Sequence, residues 1–334
     1  PVPSLLRAFS APVRVNYPYA DAELLFLMAH DSDAFNRWEA AQKLFMKFLL
    51  ADAAPPAVFI EALRAVLTDA KLDAETRAMT LTLPSEAELG LALKAAGKLI
   101  DPVALYETRR RMINALAEGL EPDLWRVYAQ IDKSLSEKAS DGEARGWRSL
   151  KNLCLSYLAR ATPDDALPLA AELVAKARNM TDKMAGLALM AEHPSKLSAK
   201  MLALFDKQYR KQPAIMDHWL SAQASARCCG VLAVVQGLMK HPAFALNNPN
   251  RVSALIGAFA GNPLGFHAAD GSGYRFIAGI IPKLDKLNPQ AASRLAKPFL
   301  RWRDFDAKRQ RLMKAELKKL AAVKGLSANT REVV

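Results

Sequence analysis

From Asp21 onward, apolar residues recur at intervals of three and four, the spacing of one face of an α-helix rather than of a strand. Ala22–His30 forms a first short helix, and Asp33 caps a second. On that helix Trp38, Ala41, Phe45 and Phe48 share a side until Ala51-Asp52-Ala53-Ala54-Pro55-Pro56 breaks it. Phe59, Leu63, Val66 and Leu67 make the next face, Asp73 caps a brief helix ending at Pro84, and Ser85-x-x-Glu88 is a reciprocal capping box. Asp101-Pro102, Thr162-Pro163, Asn248-Pro249 and Asn262-Pro263 each place a side-chain oxygen before a ring whose fixed φ suits the first helical residue. Val252, Leu255, Ile256 and Phe259 follow one such start, with Gly261 expected to close the helix in a left-handed cap. Beyond the Asp270-Gly271-Ser272-Gly273 turn, Ile277, Ile280, Ile281 and Leu284 repeat the pattern on a helix that Pro282 should kink. Further helices are expected over Pro122–Leu135, Gly142–Leu158, Thr181–Glu192, Ser198–Arg210 and Met216–Ala222.

Helices of about twelve residues joined by connections of about five give roughly eighteen to twenty in a chain of this length. One bundle core cannot cover so many amphipathic faces, whereas stacked pairs can each cover the next. The predicted fold is therefore all-α, an irregular superhelical array of stacked helix pairs of the HEAT or armadillo kind, without a strict sequence period. The first twenty residues differ. Pro3 and Pro12 oppose a helix, and Val13, Val15 and Tyr17 alternate with Arg14 and Asn16 in the period of a β-strand. A lone strand needs partners that the rest of the sequence does not offer. Residues 1–20 are thus expected to be the tail of a preceding sheet domain with a connector, and residues 21–334 the helical domain. A start at Pro1 rather than Met, without the pattern of a secretion signal, is expected of a piece of a longer polypeptide.

Composition changes this picture little. Of the 334 residues 51% are hydrophobic, ample for a core, and charged residues interrupt every apolar stretch before it could cross a bilayer. The three cysteines, Cys154 and the neighbours Cys228 and Cys229, have no metal-type spacing. They are expected to be buried thiols in a reducing, cytoplasmic compartment. The formal charge of +12 raises the question of nucleic acid, yet from Lys297 to Val334 eleven lysines and arginines face four acids, a surplus of seven at one end. There Leu312, Leu317, Leu320 and Val323 supply an intermittent apolar face, so the cations are read as the solvated outside of terminal helices. Neither a nucleic-acid nor a membrane partner is expected.

No catalytic template is complete. The histidines, His30, His193, His218, His241 and His267, are isolated, and no pair has the His-Glu-x-x-His spacing that puts two zinc ligands on one helix face. Gly271-x-Gly273 lacks the third glycine of a dinucleotide loop and reads as a turn; no Gly-x-Ser-x-Gly elbow marks a nucleophile. His267, beside Phe266 and the Asp270 turn, is expected to be a hydrogen-bonded structural side chain, and Phe259, Tyr274 and Phe276 to be core.

The stretch Asn248–Leu287 resembles the C-terminal helical domain of the bacterial aminopeptidase N family, zinc exopeptidases of the gluzincin type. So do Phe35-Asn36-Arg37-Trp38-Glu39-Ala40, Asn179-Met180-Thr181-Asp182, Asn288-Pro289-Gln290 through Arg294-Leu295, and Asp306-Ala307-Lys308-Arg309-Gln310, in the family's order over nearly the whole chain. The resemblance implies a small β-sandwich before residue 21 and a catalytic domain further upstream. That domain would hold zinc through His-Glu-x-x-His and carry the amino-terminus-binding Gly-x-Met-Glu-Asn string, and neither motif occurs in this sequence. It also implies that this domain closes an internal chamber and lines the path of peptide substrates. Arg294 matches the family's arginine that meets substrate beyond the scissile bond, and Arg251 is a second channel candidate. Some relatives carry another arginine two positions on, where this chain has Ser253. A free-standing helical-repeat scaffold for another protein and a basic helical-array nucleic-acid binder are the alternatives.

Overall fold

The computed structural model describes residues 1–13, 15–136 and 141–334. Helix starts fall where the sequence supplies an oxygen for the free N–H groups of the first turn. Asp33 accepts from the Asn36 N–H at 2.9 Å and Asp73 from the Thr76 N–H at 2.8 Å. Ser85 and Glu88 cap each other, Glu88 N–H to Ser85 Oγ at 3.2 Å and Ser85 N–H to Glu88 Oε2 at 2.7 Å. Asn179 reaches the Asp182 N–H at 2.8 Å.

The helices run α1 (Asp21–His30), α2 (Ala34–Leu50), α3 (Ala57–Thr68), α4 (Ala74–Leu81), α5 (Glu86–Ala95), α6 (Pro102–Ser136) and α7 (Asp141–Ala161). Next come α8 (Pro163–Lys176), α9 (Met180–Glu192), α10 (Lys196–Tyr209), α11 (Pro213–Ala224) and α12 (Val231–Leu238). Then α13 (Pro249–Val252) leads through a π turn at Ser253–Gly257 into α14 (Ala258–Ala260), before α15 (Pro263–Phe266) and α16 (Ser272–Asp285). Last are α17 (Pro289–Leu300), α18 (Ala307–Ala321) and α19 (Ala328–Arg331). The protein is all-α, with no β-strand among the described residues; one isolated bridge joins Ile100 to Phe305.

Two compact units form. The first comprises Pro1–Ala92 and Glu107–Leu167. In it α1 packs on α2 and α3, α2 on α4, and α4 on α7, around Phe45 and Phe59, whose ring centroids are 5.0 Å apart edge to face. The buried Tyr157 hydroxyl donates to the Leu81 carbonyl at 2.8 Å, fastening α7 to the end of α4. The second unit comprises Leu93–Tyr106 and Pro168–Val334. Here α9 packs on α10 and α11, α11 on the π turn, and α16 on both α17 and α18. The Ile100 bridge, with Ile100 N–H to Asp304 carbonyl at 2.8 Å and Asp306 N–H to Ile100 carbonyl at 3.0 Å, ties residues 93–106 into this unit. A carboxylate closes its far end. Asp285, the last residue of α16, accepts from Ser327 N–H at 2.7 Å and from the hydroxyls of Ser327 and Thr330 at 2.5 Å each. Burial alone would push the pKa of that carboxyl up, but the Ser327 and Thr330 donors hold it below the usual carboxylate range.

Several expectations change. Val13, Val15 and Tyr17 do not form a strand, and Arg14, the polar member between them, lies outside the described residues. Ladder bonds need a neighbouring strand, and Val13 and Tyr17 instead stand exposed. Pro122 does not start a helix: α6 passes through it unbroken, and Arg64 Nη2 donates at 2.7 Å to the carbonyl of Gly119, one turn before the ring. The ring of Pro282, where a kink is expected, lies inside α16, which runs on to Asp285. Gly261 ends α14 in a right-handed conformation, φ −86°, not a left-handed cap. Of the three cysteines only Cys154 is buried, its thiol pushed up to about 12 by removal from water; Cys229 is exposed.

Candidate functional site

Asn248 accepts from the N–H groups of Asn250 at 3.0 Å and Arg251 at 3.3 Å, and Pro249 supplies the first residue of α13. One turn later the backbone widens into the π turn, which carries one residue more than an α-helical turn and recurs at functional positions in proteins. Val252, Leu255, Ile256 and Phe259 stay buried on its inner side. Ser253 and Gly257, the two ends of the turn, look outward into a hollow of about 280 Å³. Opposite stands α17. Asn288 caps it through the Ala291 N–H at 2.9 Å, and Ala292, Leu295, Ala296 and Phe299 form its buried face. That fixes Ala291, Arg294 and Pro298, at i, i+3 and i+7, along the side that borders the hollow.

The hollow is lined by Pro249, Val252, Gly257 and Ala260 on one side and by Ala291, Leu295 and Pro298 on the other. Its only charged lining residue is Arg294, which is exposed and makes no hydrogen bond or ion pair with any described residue. Arg294 also borders a second recess of about 500 Å³ with Lys297 and Glu332, and Glu332 pairs with neither cation. Arg251 is placed differently. It is buried, its Nη1 donates to the Pro213 carbonyl at 2.8 Å and pairs with the Asp217 carboxylate, and it does not line the hollow. The sequence showed a cation opposing the dipole of a helix start; the partner that offsets it stands 34 residues away on α11. Ser253 lies on the rim with Arg294.

Near the start of α16, His267 Nδ1 is 2.8 Å from the Tyr274 hydroxyl, and its ring centroid is 4.4 Å from that of Phe305. Burial, with Arg309 and Arg301 close by, pushes this imidazole down to about 3. Arg309 donates through Nε to the His267 carbonyl at 3.2 Å and pairs through Nη1 with Asp101 at 3.0 Å and Asp306 at 2.5 Å. This cluster is closed upon itself and holds a neutral imidazole; it is scaffolding. Phe259 and Tyr274 are fully buried and Phe276 packs edge to face on Phe259 at 5.3 Å.

A larger cavity of about 600 Å³ in the first unit is lined by Asp73, Glu75 and Glu143 together with Lys71 and Arg77, a mixture that selects no one charge of ligand. Among the described residues no three His, Cys, Asp or Glu side chains converge where a metal ion could be held, so the described donors do not make up a zinc site. No described helix is long and apolar enough to cross a membrane. On α18 the cations Lys308, Arg311, Lys314, Lys318 and Lys319 are exposed while Met313 and Leu320 are buried.

Residues 21–334 match the family model described as a domain of unknown function (DUF3458_C) with ARM repeats. Aminopeptidase N of Escherichia coli K12 is 37% identical over 344 aligned residues, covering 100% of this chain and 39% of that protein. Aminopeptidase N of Haemophilus influenzae is 37% identical over 349 residues and that of Caulobacter vibrioides 35% over 340, each with the same coverage. Among solved structures, Legionella pneumophila aminopeptidase A, determined in complex with aspartic acid, matches at a TM-score of 0.85 and 32% identity, over 98% of this chain and 39% of that one. The chain spans about two fifths of the length of these relatives.

Proposed function

The chain belongs to the DUF3458_C family of ARM-repeat domains, and from that premise we propose that it is the chamber-closing domain of an aminopeptidase that removes N-terminal residues from peptides. In this reading zinc and the bond-breaking chemistry reside in a catalytic domain elsewhere on the parent polypeptide. Residues 1–20 end a preceding β-sandwich, the enzyme is cytoplasmic, and the present chain supplies walls and contacts. Similarity along its full length to aminopeptidase N from three bacteria supports the assignment.

The observation that carries the proposal is Arg294. A guanidinium with no partner among the described residues, set at the edge of an apolar hollow, keeps its planar fork of donors available for a carboxylate or peptide carbonyl. Facing an enclosed chamber, it would hold the part of a peptide beyond the scissile bond. Arg251, with Nη1 engaged by Asp217, would stiffen the wall on which the hollow is built and offer substrate only its remaining donors. The test uses the whole enzyme. Arg294→Ala should lower kcat/KM for tri- and tetrapeptides roughly ten- to a hundredfold, the range of one charge-assisted contact, while hydrolysis of a single-residue amide reporter stays unchanged. An equal loss on both substrates would remove Arg294 from the channel.

A further inference from the structure

We propose that the hollow between the π turn and α17 is a side-chain pocket for the C-terminal residue of a peptide, with a branched aliphatic residue as its preferred occupant. The inference rests on the reading that Arg294 faces peptide, and it adds a selectivity that this reading does not contain.

Three features combine. The first is chemistry: apart from Ser253 and Arg294 on the rim, the lining is Pro, Val, Gly, Ala and Leu, with Val252, Ala260 and Leu295 buried, so a polar side chain inside would find few partners for its hydrogen bonds. The second is size. An apolar cavity of about 150 Å³ accommodates benzene, so about 280 Å³ takes a leucyl or isoleucyl side chain with room to spare. The third is charge. Arg294 borders the hollow unpaired, and an α-carboxylate is the anion that every peptide carries one bond from a side chain. A residue whose carboxylate engages the guanidinium can therefore turn its own side chain into the hollow. Lys297, three residues on along α17, borders the neighbouring recess with Arg294 and adds a second positive charge there, and Glu332 opposes it without bonding to either cation. Gly257 keeps the space open: a Cβ there would lie 3.7 Å from Ser253 Oγ and meet nothing nearer, so a larger side chain at 257 can be introduced and would occupy the hollow.

The test is binding to the intact 334-residue chain, followed by NMR of methyl-labelled Val252, Ala260, Ala291 and Leu295, with N-acetylglycyl-X probes in which X is Gly, Ala, Val or Leu, and with the carboxamide of the Leu probe. Affinity should rise from Gly to Leu, by up to about fourfold for each added methylene, with the largest shifts at the methyl groups of those four residues. The carboxamide should bind at least tenfold more weakly. Gly257→Leu, and independently Ala291→Leu from the opposite wall, should flatten the dependence on X while preserving the preference for carboxylate over carboxamide. Arg294→Ala should do the reverse. A flat series in the wild-type chain with carboxylate dependence intact would overturn the pocket and leave the role of Arg294 standing. Loss of both dependences would overturn both, and use of two variants from opposite walls keeps the result from resting on the folding of either.

Discussion

Helix α16 carries two glycines that should respond to the same substitution with opposite signs. A Cβ on Gly273 would lie 2.2 Å from the Gly265 carbonyl oxygen, 2.5 Å from that of Phe266 and 2.7 Å from Phe266 Cα. All three are backbone atoms, which no rotamer change can move. Relief to a tolerable 3.0 Å requires α16 and the end of α15 to separate by about 0.8 Å, through a layer where Phe266, Tyr274 and Phe299 are each almost wholly buried. Overpacking of this kind costs about 3 kcal/mol, and the better helix propensity of alanine returns about 1 kcal/mol, leaving a net loss of about 2 kcal/mol. Gly279 is on the same helix, is exposed, and has nothing within 4 Å of the position its Cβ would take. There alanine should stabilise by about 0.4–1 kcal/mol. For a unit of this size each kcal/mol moves the melting midpoint by about 2–4 °C. Gly273→Ala should therefore melt roughly 4–8 °C lower and Gly279→Ala about 1–4 °C higher in scanning calorimetry. Two midpoints moving together, in either direction, would refute the claim that close backbone approach at Gly273 seats this helix.

Other consequences are as direct. Arg251→Ala should destabilise by about 3 kcal/mol because it leaves Asp217 without its buried partner, whereas Arg294→Ala, which breaks no hydrogen bond or ion pair to any described residue, should stay within about 0.5 kcal/mol; denaturant titrations giving equal losses would reject this division. His267 titrates at about 3 in the folded chain against about 6.5 unfolded, so the unfolded state takes up the proton first and stability falls as pH drops below 6.5. Between pH 6 and 4 the stability of His267→Asn should decline less steeply than that of the wild type, by at most about 1.4 kcal/mol per pH unit, since solvent still reaches part of the ring; parallel curves would contradict it. Asp285→Asn should speed hydrogen exchange at residues 327–331 at least tenfold while exchange in α9 is unchanged, and uniform acceleration would show that the clasp is not local.

How much of this could be read from sequence follows from how far each determinant reaches along the chain. Caps at Asp33, Asp73, Asn248 and Asn262 act over two or three residues and were visible; those at Asn179 and Asn288 act over the same range but stood only inside the strings that carry the family resemblance. The buried faces at Phe59, Leu63, Val66 and Leu67, and at Ile277, Ile280, Ile281 and Leu284, follow from period alone. Pro122 misled because the helix around it is braced from far along the chain: Arg64 bonds the Gly119 carbonyl before the ring and pairs with Asp123 after it, although the carbonyl left without its helical donor is that of Glu118. The period at Val13–Tyr17 misled because alternation describes a strand only where a second strand exists to pair with it. For the candidate site, Arg294 could be picked out by the match of its surrounding string, but its freedom from partners could not. Nor could the engagement of Arg251 by Asp217, the hollow, or the clasp at Asp285, since each depends on residues brought together from separate helices.

The π turn at Ser253–Gly257 is a matter of length more than of residue identity. Such a turn holds one residue beyond what an α-helix would use over the same rise. Removing Ala254 would therefore let the segment close into an α-helix over that same rise, with the chain on either side keeping its register. Phe259 would stay on the core side, and the Asn262 amide would still meet the carbonyls of Ala224 and Ala226, now at 3.1 and 2.9 Å. The change would fall on the wall of the hollow between Ser253 and Gly257 alone, so a one-codon deletion there would reshape the hollow where the same deletion in a regular helix would rotate everything beyond it.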